Sequence, residues 1–162
     1  MTNQTQLYEQ DVHAWAQTQV QLLRQGQWDA LDIDHLILEL EDMGKSHQRE
    51  LASRLIILIA HLLKWEFQRA RLAEQWREFE GKSWRNTIIE QRLQLALLLN
   101  QAPSLKSTLA QTLIDVYPTA RQLASKETDM SLETFPETCP YALAQVLDEA
   151  FYPATGAATP HR

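Results

Sequence analysis

Residues 51–65 read LASRLIILIAHLLKW, and the fold turns on how that run is wound. As a helix it carries two adjacent apolar lines: Leu51, Leu55, Leu58 and Leu62, then Ala52, Ile56, Ile59 and Leu63. A helix apolar over about half its circumference belongs at the centre of a bundle. The longest unbroken apolar stretch falls far short of the ~20 residues of a membrane span. Beside the apolar arc, His47, Glu50, Arg54, His61 and Lys64 form a polar line at helical spacing.

Upstream lies ELEDMGKS at 39–46, and its last tripeptide returns in EGKSW at 80–84. Gly-Lys-Ser ends a phosphate-binding loop only when another Gly stands five residues earlier, after a strand. Those positions hold Glu39 and Trp76, and a carboxylate there repels phosphate. Both tripeptides therefore read as helix punctuation, with Gly ending one helix and Ser46 or Ser83 capping the next. Alternatively, Gly44 is only a weak point in one long helix, at about 1 kcal/mol against Ala. The helix before it, from the Asp32 or Asp34 cap to Met43, is expected to bury Ile33, Leu36, Leu40 and Met43. Glu39 and Asp42 then lie about 60° apart on one flank. Glu39 borders the apolar stripe, where a half-buried carboxylate usually meets Arg or Lys.

Further out, Tyr8, Val12, Trp15, Gln19 and Leu22 place a helix over 5–25 that Gly26 ends. Residues 69–82 form either an amphipathic helix or an ordered loop. Helix four covers 84–101 with Trp84, Ile88, Leu95 and Leu98 inward. Helix five follows a Ser104 cap, with Leu105, Leu109, Leu113, Val116, Ala120 and Leu123 as its buried rhythm and a kink near 114–117 from Pro118. An acidic connection, 127–140, leads to Cys139-Pro140 as the start of a short helix over 140–151. These elements make an all-α helical bundle of about five main helices plus a short C-terminal one. It forms a single domain over 1–153 with a flexible tail at 154–162.

Net charge is −6 and the pI near 5.3, which disfavours general nucleic-acid binding. Residues 1–44 hold eight acids and one base, whereas 45–92 hold ten bases and six acids. Acidic ends packing on a basic middle and independently solvated faces account for this equally well. Arg with Trp65, Phe67, Trp76 and Phe79 over 64–92 gives a weaker nucleic-acid option. Cys139 is the one cysteine, which excludes a disulfide framework and suits a reducing cytoplasm. The segment MTNQTQLYEQ has no basic and apolar regions of a signal peptide.

The candidate polar cluster is Glu39, Asp42, Arg54, His61, Lys64 and Arg85. His13, His47 and His61 on neighbouring helices could form a three-His metal set. The Glu-x-x-His spacing of carboxylate-bridged bundle metals is absent, with Leu58 and Gly44 at the Glu positions. No metal and no cofactor is assigned. Cys139 at a helix N-terminus would have a lowered thiol pKa but lacks a neighbouring His as base.

The segments YEQDVHAWA, LLRQG, LILELEDMGKS, LIILIAHLLKW, SWRNTI, ETFPETCPYAL and LDEAFYP, in that order, resemble the bacterial domain-of-unknown-function family 29 over about residues 7–153. The resemblance implies a small all-α protein without an established activity or agreed catalytic residues. Its recurring polar positions match Glu39, Glu41, Gly44, His61, Lys64, Trp65, Trp84 and Arg85. The segment between Trp65 and Trp84 departs from the family pattern, being longer and less Pro-rich. The resulting expectation is a cytoplasmic helical protein with an interaction or structural role as a homo-oligomer. The alternative is a metal-binding protein or enzyme with a polar site around Glu39, His61 and Arg85.

Overall fold

The structure is a computed structural model that describes residues 3–155. Among these residues there are helices and 3-10 turns and no strand, so the fold is all-α. The helices are α1 (Asn3–Gln10), α2 (Val12–Arg24), α3 (Ile33–Phe67), α4 (Glu74–Gln101), α5 (Leu109–Thr128) and the five-residue α6 (Leu143–Leu147). Five main helices and a short C-terminal one are thus present, with several boundaries moved. None of these helices is long and apolar enough to cross a membrane. The contacts divide the chain into two compact units, Met1–Ser46 and His47–Arg162.

In the first unit, the helix expected over 5–25 is two helices. Asp11 interrupts it because its carboxylate accepts from the Ala14 N–H at 3.0 Å and caps α2. Gly26, at φ 68°, ends α2 as expected, with Gln27 N–H donating to Leu22 and Gly26 N–H to Leu23, the paired bonds of a left-handed C-cap. Trp15 and Gln19 are buried. The Trp15 indole donates to Asp32 Oδ2 at 3.0 Å, and the Gln19 side-chain oxygen accepts from the Asp32 N–H at 2.9 Å. The start of α3 is thereby tied to α2. The stripe expected to be buried along early α3 is not: Ile33, Leu40 and Met43 are each more than half exposed.

At Gly44 the break is absent and the alternative of one long helix holds. Helix α3 runs unbroken through it to Phe67. Its neighbours Glu, Leu, Met, Lys, Gln and Arg are strong helix formers, and together they outweigh the roughly 1 kcal/mol cost of one glycine. Ser83 is likewise no cap. Helix α4 starts at Glu74 and passes through Gly81, Lys82 and Ser83. The two glycines differ in setting. A Cβ on Gly81 would stand 3.3 Å from Arg69 Nε, whereas one on Gly44 would meet nothing within 4 Å among the described residues. Gly81 thus makes room for the Arg69 guanidinium, which covers the Trp65 ring at 4.2 Å.

In the second unit the apolar lines of 51–65 behave as expected. Leu51, Leu55, Leu58, Ile59, Leu62 and Leu63 are fully buried. They pack with Trp84, Ile88, Leu95 and Leu98 of α4 and Leu109, Leu113, Val116 and Ala120 of α5 in one core. Residues 103–108 are a 3-10 turn, so α5 starts at Leu109 and not after Ser104. Pro118 sits inside α5 without ending it; the carbonyl that loses its N–H partner belongs to the exposed Ile114. The acidic connection is docked by its own backbone: Tyr117 donates to the Pro136 carbonyl at 2.6 Å and Arg121 Nε to that of Phe135 at 3.0 Å. Phe135 enters the core against Phe67. The last helix is shorter than expected and begins three residues after Pro140, because the Gln145 side chain caps the Ala142 N–H at 2.9 Å. Of the expected tail, residues 156–162 lie outside the described residues.

Candidate functional site

The period of α3 places His61 and Lys64 on one face, with Gln68 just past its end, and that of α4 places Trp76, Glu80, Ser83 and Trp84 on another. With Glu127 near the end of α5, these side chains line a cavity of about 450 Å³. Lys64 is its centre. It is only 6 % exposed, yet its Nζ donates to Glu127 Oε2 at 2.5 Å and stands 5.8 Å from the centre of the Trp84 ring. A buried ammonium is costly unless paired, and this pairing joins α3 to α5 within the core wall.

His61 Nδ1 lies 2.8 Å from the Ile57 carbonyl. A carbonyl can only accept, so Nδ1 carries the proton and Nε2 keeps its lone pair. Burial is the main cause of a lowered His61 pKa, reinforced by the Lys64 charge; the Ile57 bond and Glu127 oppose it. The folded state therefore binds the His61 proton less readily than the unfolded chain. Stability from this group is complete above the ordinary histidine pKa of 6.5 and falls as pH drops from there towards the lower folded value. The urea midpoint is expected to decline between about pH 7.5 and about pH 5.5, and His61→Gln to make that decline shallower. An unchanged slope in the variant would contradict the assignment.

The other members of the expected cluster are placed elsewhere. Glu39, in the first unit, is half-buried, but it accepts from the Tyr8 hydroxyl at 2.7 Å instead of meeting a cation. That bond is the main reason the Tyr8 pKa rises, with burial and the charges of Glu39, Asp42 and Asp32 adding to it. Tyr8 stacks on His35 at 3.9 Å and packs edge-on to Trp15 at 5.0 Å. Burial works to raise the Asp32 pKa but is outweighed by hydrogen bonds from His35 and Trp15, which hold it low. Glu39 is thus part of an aromatic and polar core. Asp42 is exposed on the same unit.

In the second unit, Arg54 bonds Glu50 at 3.2 Å and Gln91 Oε1 at 3.3 Å, bracing α3 against α4. Arg85 lines a separate cavity of about 260 Å³ with Ile89, Arg92, Leu93, Glu149 and Tyr152. His61 and Lys64 therefore come together, and Arg85 does not join them. Among the described residues no group of three or more His, Cys, Asp or Glu side chains is arranged to hold a metal ion. Cys139 starts no helix. Its thiol contacts the Tyr141 carbonyl at 3.5 Å, and burial raises its pKa against that bond, the opposite of the helix-terminus expectation.

Sequence reasoning missed Trp76, Glu80 and Glu127 as partners of His61 and Lys64. For the first two a signal existed. Trp76, Glu80, Ser83 and Trp84 share one face once the helix is read through Gly81. Glu127 is 63 residues from Lys64 and leaves no local trace.

A family model, Domain of unknown function DUF29, matches residues 7–152. The chain belongs to the DUF29 family. No curated protein and no solved structure matches it. The DUF29 match runs through all the elements that build the pocket, from α3 to α5, and through the docked C-terminal segment.

Proposed function

We propose that this DUF29 protein is an interaction module that pairs with a second copy of itself through the first half of α3. The observation that supports it most is an apolar line at spacings of four, three and four: Ile33, Ile37, Leu40, then Gly44. Leu40 is 63 % exposed, and Ile33 and Ile37 are about half exposed. Gly44 lies on that line with open space where its Cβ would be. The glycine therefore costs helix stability without serving any packing inside the chain, which suits a surface that another backbone approaches closely.

A second copy is the occupant that fits. An antiparallel pairing with Leu40 at the two-fold sets Ile37 against Met43 and Leu36 over Gly44, so one patch is complementary to itself. The lone cysteine suits a reducing cytoplasm for such an assembly.

Light scattering over a concentration series tests the reading. The expected result is a dimer that Leu40→Glu converts to monomer while the thermal midpoint of the monomer is unchanged, since Leu40 is exposed. Gly44→Ala is expected to raise helix stability by about 1 kcal/mol and to weaken pairing. A wild-type monomer at all concentrations would overturn the proposal, as would a dimer indifferent to both substitutions.

A second reading, a small-molecule site in the pocket of His61 and Lys64, is supported by the pairing of the buried Lys64 with the partly exposed Glu127 in its wall. A charged pair is a poor stabiliser of a core, and its place beside a cavity of ligand size gives it another use.

A further inference from the structure

The pocket bounded by α3, α4 and Glu127 has a chemistry that selects its ligand, and the inference rests on the second reading above. We infer that it binds a small organic cation, an alkylammonium or alkylguanidinium, between Trp76 and the carboxylates of Glu80 and Glu127. The charges in the wall decide the sign. Lys64 is the one cation among the lining residues, and Glu127 already holds it at 2.5 Å. Glu80 makes no hydrogen bond or ion pair among the described residues. Glu127 commits Oε2 to Lys64 and leaves Oε1 without a hydrogen bond among the described residues. An anion entering here would face two carboxylates with no uncommitted cation to receive it, and like charges at short range are strongly unfavourable.

The neutral groups point the same way. His61 spends its only N–H on the Ile57 carbonyl, so the edge left to a ligand is the Nε2 lone pair. A donor-rich ligand finds three acceptors: Glu80, Glu127 Oε1 and His61 Nε2. Two indoles complete the wall. Trp84 already receives the Lys64 ammonium at 5.8 Å. Trp76 also lines the pocket and is more than half exposed, and an indole of this kind can take a second cation. The indole walls favour an organic cation over a hydrated metal ion, which needs a closer set of oxygen ligands. The volume, about 450 Å³, lies in the range of small-ligand pockets.

Calorimetric titration of the full chain with n-butylammonium, n-butylguanidinium, butanol and butyrate tests the inference. Saturable binding of one or both cations is expected, at least about tenfold tighter than butanol or butyrate, a difference of about 1.4 kcal/mol. Trp76→Ala and Glu80→Gln are each expected to weaken cation binding by about tenfold. Both positions are at least partly exposed, so unchanged circular dichroism and urea midpoints would certify the fold of each variant. Butyrate or butanol binding as tightly as the cations would overturn the ligand class while leaving the pocket reading in place. Saturation by none of the four would overturn both. Cation binding that ignores both substitutions would place the ligand elsewhere and overturn the inference.

Discussion

Arg92→Met is expected to destabilise the second unit by about 3 kcal/mol and to release the C-terminal segment from it. Arg92 is 4 % exposed in the middle of α4. Among the described residues no carboxylate is hydrogen-bonded to it. Its Nε donates to the Val146 carbonyl at 2.9 Å and its Nη2 to the Gln145 carbonyl at 3.3 Å, and its guanidinium lies 5.5 Å from the Tyr152 ring centre. Gln145 and Val146 belong to the last turn of α6, at the negative end of the helix dipole; the Gln145 carbonyl also accepts from the Asp148 N–H at 3.3 Å, while that of Val146 is met by Arg92. One guanidinium thus satisfies the end of a helix too short to stand alone.

Burying that charge has a cost of its own, visible in the lowered Arg92 pKa, for which burial is the main cause while Tyr152, Asp148 and Glu149 oppose it. Removing an arginine can therefore be neutral where nothing depends on it. Here something does. Val146 is fully buried, so its carbonyl would be left without water or partner. Methionine keeps the aliphatic packing and removes only the donors. Urea unfolding gives the stability change, and hydrogen exchange at residues 143–152 gives its location. Arg92→Lys, with one compact charge in place of a fork, should fall between. If the segment stays protected in Arg92→Met, the clamp is not what holds it.

The parts of this fold that were legible in the sequence are those where one signal dominates. The run from Leu51 to Leu63 could only be a central helix, and its burial follows. Family membership could be read in the same way, from an ordered set of short segments. Punctuation was less legible because glycine carries two opposite meanings. At Gly26 it ends a helix by adopting positive φ; at Gly81 it stays helical and accommodates Arg69. The sequence GKS is identical at 44–46 and 81–83, and only the neighbours tell that both lie inside helices. Glu39 was correctly placed as half-buried, yet its partner is a tyrosine on α1, which helical spacing does not reveal. The pocket pairing of Lys64 with Glu127 depends on how α5 packs, a tertiary outcome that leaves no mark in either local sequence.

That pair supplies the second large effect, and the two halves are expected to respond unequally. Glu127→Ala should cost about 2–3 kcal/mol, whereas Lys64→Met should cost less than about 1. The asymmetry follows from exposure. The Lys64 side chain is 8 % exposed and regains little water when its carboxylate is removed, while the Glu127 side chain, 41 % exposed, can hydrate when the ammonium is gone. Methionine also fills most of the lysine volume against Trp84. In the double variant Lys64→Met with Glu127→Ala, the burden of an unpaired buried charge disappears. Its stability should therefore exceed that of Glu127→Ala alone, giving a coupling of about 2 kcal/mol in a double-mutant cycle of urea midpoints. Equal costs for the two single substitutions, with additive behaviour in the double, would show that Lys64 reaches water by another route and that the pair does not brace α3 against α5.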